Sequence, residues 1–426
     1  MIRFKWSVLA LLLCGLLPQR AAAQETVSID DCYRLARENY PLIKKQDLLS
    51  RSRTYSLQNA ARMYLPQVSV SGQASYQSET VGFPDVFSGL PVQVSLPAIS
   101  KDQYRIQADL SQVIYDGGNI SNQRAMIRAG NDVSQQQVEV NLYAIRDRVN
   151  QVYFSVLLMD EQLKQNEIKK SNLQNVVTKA EAALANGAAF RSSVNELKAE
   201  VVNAEMASIE YRASRKAYLD MLGMLIGREL EDSTRLTMPA SAATNKEMNR
   251  PELRLYDLQQ YMNDVEKRKL RTDYLPKLSA FVTGAYGRPT LNIINNEFGP
   301  WYIVGARLNW NLGSLYTVQN SRRNIELNRQ GIETDRETFV FNTNLSLTQE
   351  AANEGKYKAL LQQDQEAVAL RESVKKSAEA QLENGVITVH DFIAQVNAEN
   401  LARQQLILHR ILLVQSQYKQ HFTAGN

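Results

Sequence analysis

The side chains that most often carry enzymatic chemistry are few in this chain and lie far apart. Its three histidines are His390, His409 and His421, and no cysteine or acidic cluster stands at metal-ligand spacing from them. No Ser, His and Asp set and no glycine-rich phosphate loop occurs at a useful spacing. We therefore predict a protein that is not an enzyme and has no cofactor or metal site, and we expect solvated helix positions for all three histidines.

The first 23 residues have the pattern of a secretory signal peptide. Arg3 and Lys5 form a basic start, Trp6–Leu17 an apolar run, and Ala21–Ala23 a small-residue cleavage site. The apolar run is shorter than the ~20 residues that a membrane-spanning helix needs. The pattern predicts that residues 1–23 are removed and that the mature chain is exported.

Removal of this segment changes the charge balance and the cysteine content. Three of the 49 basic residues and none of the 45 acidic residues precede Ala23, so the mature chain has 46 basic and 45 acidic residues. This balance gives no electrostatic support to nucleic-acid binding. The bulky Leu13 before Cys14 argues against lipidation, and the remaining Cys32 is expected to be a buried helix residue.

The mature chain contains one pattern twice. Tyr64–Pro66 recurs as Tyr274–Pro276 at an offset of 210, and Asn186–Gly187 recurs as Asn384–Gly385 at an offset of 198. Internal repeats decide the architecture of a chain, so they are assigned before its elements. The predicted divisions are repeat 1 over residues 24–226, a linker over 227–249 and repeat 2 over 250–426.

Each repeat has two segments in which apolar and polar residues alternate, and this period predicts strands with one apolar face. A length of about ten residues also fits a membrane-spanning strand. Four strands would leave two sheet edges unpaired, so we expect several copies to close one barrel. The predicted strands cover about residues 67–77, 104–115, 277–287 and 301–312.

The rest of the chain is predicted to be long helix. Residues 119–186 lack proline, so one helix would run for roughly 100 Å at 1.5 Å per residue. Apolar residues from Val138 to Leu184 alternate at spacings of three and four, which predicts a coiled-coil seam that returns after a turn at Gly187. In repeat 2 the seam is more polar, with Glu354 and Lys358 at seam positions.

Two functional interpretations follow from these elements. Heptad seams alone would fit a periplasmic coiled-coil adaptor or scaffold protein without a pore. An adaptor would show one helical hairpin and a soluble β domain, whereas this chain has two helix–strand–strand–helix repeats with aromatic residues in the strands. The repeats favour a channel whose strands lie in a membrane, and the adaptor remains the alternative.

Taken together, these motifs resemble those of the TolC-like outer membrane efflux proteins. The resemblance covers essentially the whole mature chain, through the order, spacing and duplication of its motifs. They are Ser28–Ala36 with a capping-box pattern from Ser28 to Asp31, the two Tyr-Leu-Pro motifs, Leu110–Gly118 at a strand-to-helix junction, Arg250–Leu253, and the two Asn-Gly tips.

The resemblance implies a mainly α-helical protein with a transmembrane β part. Each chain of a homotrimer would give four strands to a shared outer-membrane β-barrel and its antiparallel coiled-coil helices to a periplasmic α-barrel. Residues 227–249 would lie in an equatorial band, and the loop Val81–Ser100 would face outside the cell.

The implied function is that of an outer-membrane channel component of a tripartite efflux pump or type I secretion system. Such a channel is a passive trans-periplasmic conduit for small toxic molecules or exported polypeptide. The implied partners are further copies of the chain, a periplasmic adaptor (membrane fusion) protein, an inner-membrane transporter and outer-membrane lipid, with no nucleic acid. The sequence does not identify the cargo.

The resemblance also implies positions for functional residues at the hairpin tips. Thr388 and Asp391 match the tip sequence of the family, and Asp391 falls where a gate-lining aspartate is expected. Three copies would form a carboxylate ring that favours cations, whereas Ala394 and Ser193 replace further acidic residues. The alternative for Asp391 is a solvated carboxylate at a helix N-terminus. The residues expected to dock the adaptor are Gly187, Phe190, Arg191, Gly385 and Val386.

Overall fold

The computed structural model describes residues 26–80, 99–241, 247–292 and 296–426. The predicted signal peptide and most of the predicted loop Val81–Ser100 lie outside these ranges. Across the described ranges, no helix combines the length and the apolar character needed to span a membrane.

Each repeat has the order helix, two strands and long helices. Repeat 1 contains β1 (Thr26–Val27), α1 (Ile29–Asn39), α2 (Lys44–Arg62), β2 (Gln67–Tyr76), β3 (Asp102–Tyr115), α3 (Asn119–Tyr143), α4 (Ile145–Ala185) and α5 (Arg191–Ile226). After β4 (Arg235–Leu236), repeat 2 contains α6 (Pro251–Leu270), β5 (Lys277–Arg288), β6 (Gly299–Asn309), α7 (Leu315–Glu383) and α8 (Val389–Ala424). The predicted strand bounds differ from these by at most about three residues.

The chain folds into two compact units, and each unit combines segments of both repeats. The hairpin unit comprises the described parts of Met1–Ile43, Val140–Pro251 and Val340–Asn426. The sheet unit comprises the described parts of Lys44–Glu139 and Glu252–Phe339. Equivalent segments of the two repeats are therefore assembled into the same unit.

The sheet unit contains one antiparallel sheet with the strand order β2-β3-β5-β6. Its central pair, β3 and β5, joins the two repeats, with an irregularity between Val113 and Tyr115. The strands β2 and β6 lie at the edges and each pairs on one side within the described chain.

The two faces of this sheet differ in polarity, as the alternation predicts. Val68, Leu110, Val282 and Val304 lie side by side across the four strands, and all four are exposed, by 38% to 69%. The next residue along each strand belongs to the other face, where Asp109 accepts a hydrogen bond from Thr283 at 2.6 Å. The sheet therefore has one polar face and one exposed apolar face.

The hairpin unit is built around an apolar seam between α4 and α5. Residues of this seam that are 0% or 1% exposed include Val149, Val156, Leu173, Leu197, Leu219 and Leu222. Removing such side chains from water is the main source of stability in a coiled coil. The same unit contains Cys32, which is fully buried in α1 as predicted, and burial raises the pKa of its thiol to about 12.

The predicted uninterrupted helix over residues 119–186 is wrong at one point, because α3 ends at Tyr143 and α4 begins at Ile145. Ala144 keeps a right-handed backbone, with φ −60° and ψ −19°, so neither proline nor glycine marks the interruption. Tyr143 stacks on Phe422 of α8 at 5.0 Å and donates a hydrogen bond to its carbonyl at 2.7 Å. The interruption thus coincides with a tertiary contact. In repeat 2, α7 continues for 69 residues.

The prediction of solvated histidines is wrong for His409. Its Nδ1 lies 2.7 Å from Asp364 Oδ2, and the two side chains are only 20% and 12% exposed. The physical reason is that Asp364 of α7 lies opposite His409 of α8. Heptad spacing within α8 does not show which residue of α7 lies opposite. His390, at 81% side-chain exposure, is solvated.

Candidate functional site

Both hairpins turn at a glycine with a left-handed backbone. Gly187 has φ +72° and Gly385 has φ +68°, a region that favours glycine. At the first tip the amides of Gly187 and Ala188 donate to carbonyls of the preceding helical turn at 3.0 and 2.8 Å. Gly385 and Val386 repeat these two bonds with the same lengths at the second tip. The two turns therefore end their helices in the same way.

The helices that follow these turns begin differently. At the second tip Thr388 caps α8, because its hydroxyl accepts a hydrogen bond from the Asp391 amide at 3.2 Å. Asp391 Oδ2 in turn accepts from the Thr388 amide at 3.2 Å and from the Thr388 hydroxyl at 2.6 Å. This reciprocal pair is a capping box. The equivalent residue at the first tip, Phe190, has no side-chain capping bond.

The two residues predicted to line the gate, Thr388 and Asp391, are thus bound to each other at an exposed helix start. The hydrogen bonds from Thr388 stabilise the carboxylate and lower the pKa of Asp391. In a single chain the local role of Asp391 is to cap α8, as expected for a carboxylate at a helix N-terminus. Its position on a threefold axis stays a prediction.

The residues predicted to dock an adaptor are exposed at the same two turns. Phe190 is 79% exposed and Val386 is 70% exposed, and Arg191 is exposed beside Phe190. A Cβ atom at Gly187 or Gly385 would meet no atom within 4 Å. Both turns therefore present apolar side chains and open backbone.

The two tips belong to one packed structure. A buried cluster joins the hairpins and consists of Leu173, Val176, Leu197, Ala378, Phe392 and Val396. Polar pairs also cross between the hairpins, since His390 Nδ1 lies 3.0 Å from Glu196 and Lys179 Nζ lies 2.7 Å from Glu383. Sequence reasoning missed these cross-hairpin pairs, because the partners are about 200 residues apart and no local pattern relates them.

No group of three or more histidine, cysteine, aspartate or glutamate side chains is placed to hold a metal ion within the residues that the structure describes. The described residues contain long antiparallel helical hairpins and a four-stranded antiparallel sheet, and each motif is present twice.

Comparison with known proteins shows which family and which solved structures this chain is similar to. Residues 32–228 match the model of the family described as outer membrane efflux protein. Among solved structures, the outer membrane protein VceC from Vibrio cholerae is similar with a TM-score of 0.69 and 11% identity, over 93% of this chain and 96% of VceC. The MtrE outer membrane channel of Neisseria gonorrhoeae in its open state gives 0.66 and 13% identity, over 93% of this chain and 89% of MtrE.

A third solved structure, the outer-membrane channel OprN, gives a TM-score of 0.70 with 12% identity, over 93% of this chain and 89% of OprN. No curated protein sequence matches significantly. These findings confirm the predicted resemblance to TolC-like outer membrane efflux proteins and the mainly α-helical fold with an antiparallel β part. They also support the predicted location in the cell outer membrane.

Proposed function

We propose that the chain is the outer-membrane channel component of a tripartite efflux pump or type I secretion system. As a homotrimer it would form a passive trans-periplasmic conduit for small toxic molecules or exported polypeptide. The observation that carries the proposal is the exposed apolar face of the four-stranded sheet.

An apolar face of this extent would be costly in water. The row Val68, Leu110, Val282 and Val304 crosses all four strands, and Ile106, Tyr286 and Tyr302 extend the exposed face along them. Contiguous apolar surface rimmed by polar groups is typical of a membrane or protein interface. Alternation with a polar face is the pattern of a strand between lipid and a water-filled lumen.

The edges of the sheet support a shared barrel. Backbone groups at an edge strand need partners, above all in a membrane where water cannot supply them. The backbone groups of β2 in one copy would form hydrogen bonds with those of β6 in the next copy. Three copies would then contribute twelve strands to one closed sheet. Among the described residues, no strand pairs with the free side of β2 or β6.

The exposed tips suggest where partners would bind. Phe190 and Val386 are apolar residues that gain by burial against another protein. The proposed occupant is a periplasmic adaptor protein, which would connect the channel to an inner-membrane transporter. Asp391 of each copy would lie at the entrance and favour cations.

The membrane part of the proposal is tested by a matched pair of lysine substitutions on β2. Val70→Lys places a charge on the apolar face, and Ser71→Lys places the same charge on the polar face. A lysine facing lipid near the bilayer centre costs about 2–4 kcal/mol, so Val70→Lys should reduce recovery of assembled protein in the outer-membrane fraction while Ser71→Lys should not. Equal recovery of both would count against insertion through this face.

Assembly is tested by chemical crosslinking of the native protein in detergent. The expected product is a trimer. Monomers alone, or recovery in the soluble periplasmic fraction, would favour the alternative of a periplasmic adaptor without a pore.

The gate is tested by single-channel conductance in planar bilayers. Asp391→Ala should weaken cation selectivity and weaken block by a trivalent cation, because it would remove a ring of three carboxylates. Identical selectivity and block in the two proteins would mean that Asp391 only caps α8.

A further inference from the structure

The charged residues of the four-stranded sheet are divided unequally between its two faces. On the apolar face, Asp102 and Arg288 have opposite charges and are bound to each other. The other charged residues of the four strands lie on the polar face, and they are Arg105, Asp109, Lys277 and Arg307. Three of them are cationic and one is anionic, so the polar face has a net charge of +2 per chain.

The one carboxylate of the polar face is bonded to neutral side chains. Asp109 accepts a hydrogen bond from the Thr283 hydroxyl at 2.6 Å and two from the Gln107 amide at 2.8 and 2.7 Å. Within the described chain, Asp109 forms no ion pair with a cation of this face. The cations are therefore not neutralised by direct pairing.

Two of the cations lie close together on neighbouring strands. Arg307 of β6 is opposite Ser279 of β5, and Lys277 of β5 is opposite Asn309 of β6. Lys277 and Arg307 are therefore diagonal neighbours, about 7–8 Å apart along the backbone surface. Two like charges at this distance repel each other, and an anion between them relieves the repulsion.

The side chains of this pair have unused hydrogen-bond donors. The Arg307 guanidinium lies over the Phe281 ring, with its central carbon 4.8 Å from the ring centre. This contact uses the face of the guanidinium and leaves its N–H groups at the edge free. Neither Lys277 nor Arg307 has a hydrogen bond or an ion pair within the described residues, and both are exposed. The pair can therefore donate to an anionic group.

We propose that the polar face of the sheet makes the channel favour anionic solutes, with Lys277 and Arg307 as the residues that determine this preference. The inference rests on the proposed function, because a closed barrel would turn this face towards a lumen. Three copies would each contribute a charge of +2. Rings of cationic side chains in a pore select for anions. The class of cargo is small solutes with carboxylate, phosphate or sulfonate groups.

The sheet and the second tip would then have opposite preferences. Asp391 of each copy would favour cations, so the preference of the native channel is the sum of two contributions. Asp391→Ala removes the contribution of the tip. The contribution of the sheet is therefore measured in this variant.

The experiment measures the reversal potential of single Asp391→Ala channels in planar bilayers, across a gradient of potassium chloride. Concentrations of about 10 and 100 mM keep the Debye length at roughly 10 Å or more, so charges on the lumen wall act on passing ions. Chloride should be favoured over potassium by at least about twofold, since one unit charge 10 Å away in water changes the local ion concentration by roughly that factor.

Further substitutions in the same Asp391→Ala background assign the preference to the sheet. Lys277→Gln together with Arg307→Gln lowers the net charge of the face from +2 to 0 per chain and should bring the permeability ratio close to one. The matched control, Lys277→Arg together with Arg307→Lys, keeps both charges and should keep the chloride preference. Asp109→Asn can still accept the bond from Thr283 and should increase the preference.

The outcomes separate this inference from the proposed function. Channels that show no chloride preference in Asp391→Ala, or the same preference after Lys277→Gln with Arg307→Gln, would overturn the inference while the channel function stands. Absence of any conductance would overturn the channel function and this inference with it. Crosslinking to a trimer checks that each variant is assembled before its reversal potential is compared.

Discussion

The two helical hairpins turn at equivalent glycines and are held together by different side chains. Hairpin 1 is formed by α4 and α5, and hairpin 2 by α8 and the part of α7 beyond residue 340. In hairpin 1 the contact is an apolar seam whose residues are almost fully buried. In the α7 part of hairpin 2 only Val368 and Ala378 are buried apolar residues, within the described chain.

Polar and charged pairs take the place of an apolar seam between α7 and α8. They are Glu350–Lys419 at 2.9 Å, Glu354–Gln417 and Glu354–Gln420 at 3.0 Å, Asp364–His409 at 2.7 Å, Glu372–Arg403 at 2.9 Å and Lys375–Glu399 at 3.4 Å. Each pair needs its two partners at one register, and the ion pairs among them are weakened by salt.

The difference between the apolar seam and the polar pairs indicates which hairpin can rearrange more easily. An apolar seam is stabilised by burial, so separating its helices costs free energy along the whole length. Polar pairs can exchange protein partners for water at a small net cost, because each pair has a modest net value. We infer that hairpin 1 is the fixed element and hairpin 2 the more easily displaced one, and the following predictions test this.

The largest expected effect comes from the seam of hairpin 1. Leu222→Ala removes a fully buried side chain and should lower the free energy of unfolding by about 3 kcal/mol, through lost burial and a cavity. Thermal unfolding followed by circular dichroism measures the loss. The control is Asp220→Ala on an exposed position of the same turn, which should change stability by less than ~0.5 kcal/mol. Equal losses in the two variants would contradict the seam.

This seam is the part of the fold that the sequence predicts best. Spacings of three and four between apolar residues are local, and they identify Val149, Val156 and Leu222 without knowledge of the partner helix. The two Asn-Gly pairs likewise identify the turns at Gly187 and Gly385, because glycine adopts the left-handed backbone at a helix end without strain. These features depend on residues close in sequence, so one chain is enough to find them.

The second prediction concerns the buried charge in hairpin 2. Glu399 is 4% exposed and is bound by Lys375 and Arg403. Glu399→Ala would leave two half-buried cations without this partner and should lower the free energy of unfolding by about 2 kcal/mol. The same thermal measurement applies, with Glu366→Ala on an exposed position of α7 as the control. A smaller loss for Glu399→Ala than for Glu366→Ala would refute the role of this cluster.

The polar row of hairpin 2 was only partly predictable. Polar seam positions such as Glu354 are visible in the sequence, but their partners Gln417 and Gln420 lie on a helix that begins after the turn. The register between α7 and α8 decides these pairs, and it is a tertiary property. For the same reason the sequence did not predict the pairing of His409 or the interruption at Ala144.

The third prediction compares the two tips. Thr388→Ala removes the hydroxyl that caps α8 and should destabilise the start of this helix by about 1 kcal/mol. Phe190→Ala should have a smaller effect on α5, because Phe190 makes no side-chain capping bond. Hydrogen–deuterium exchange of peptides from the first turns of α8 and α5 measures both. Equal loss of protection in the two variants would mean that the tips do not differ in capping.

The smallest expected effect is a pH dependence confined to the second tip. The hydrogen bonds from the Thr388 hydroxyl and amide lower the pKa of Asp391 below the ordinary aspartate value of about 3.9. A folded-state pKa below the unfolded value means that the carboxylate stabilises the cap above that unfolded value. This contribution is lost as the pH falls through the lowered folded-state pKa. The first tip has Ser193 at the equivalent position and no titrating group there, so its capping should not change over the same range.

The measurement is the pKa of Asp391 from its carboxyl ¹³C chemical shift, in the native chain and in Thr388→Ala. The variant should show a higher pKa, because it lacks the hydroxyl that donates to Oδ2 at 2.6 Å. Ser193→Asp provides the matched carboxylate at the first tip, where Phe190 offers no hydroxyl, and its pKa should be higher than that of Asp391. The same pKa at both tips would assign the shift to the helix start alone, and the capping box would not distinguish hairpin 2 from hairpin 1.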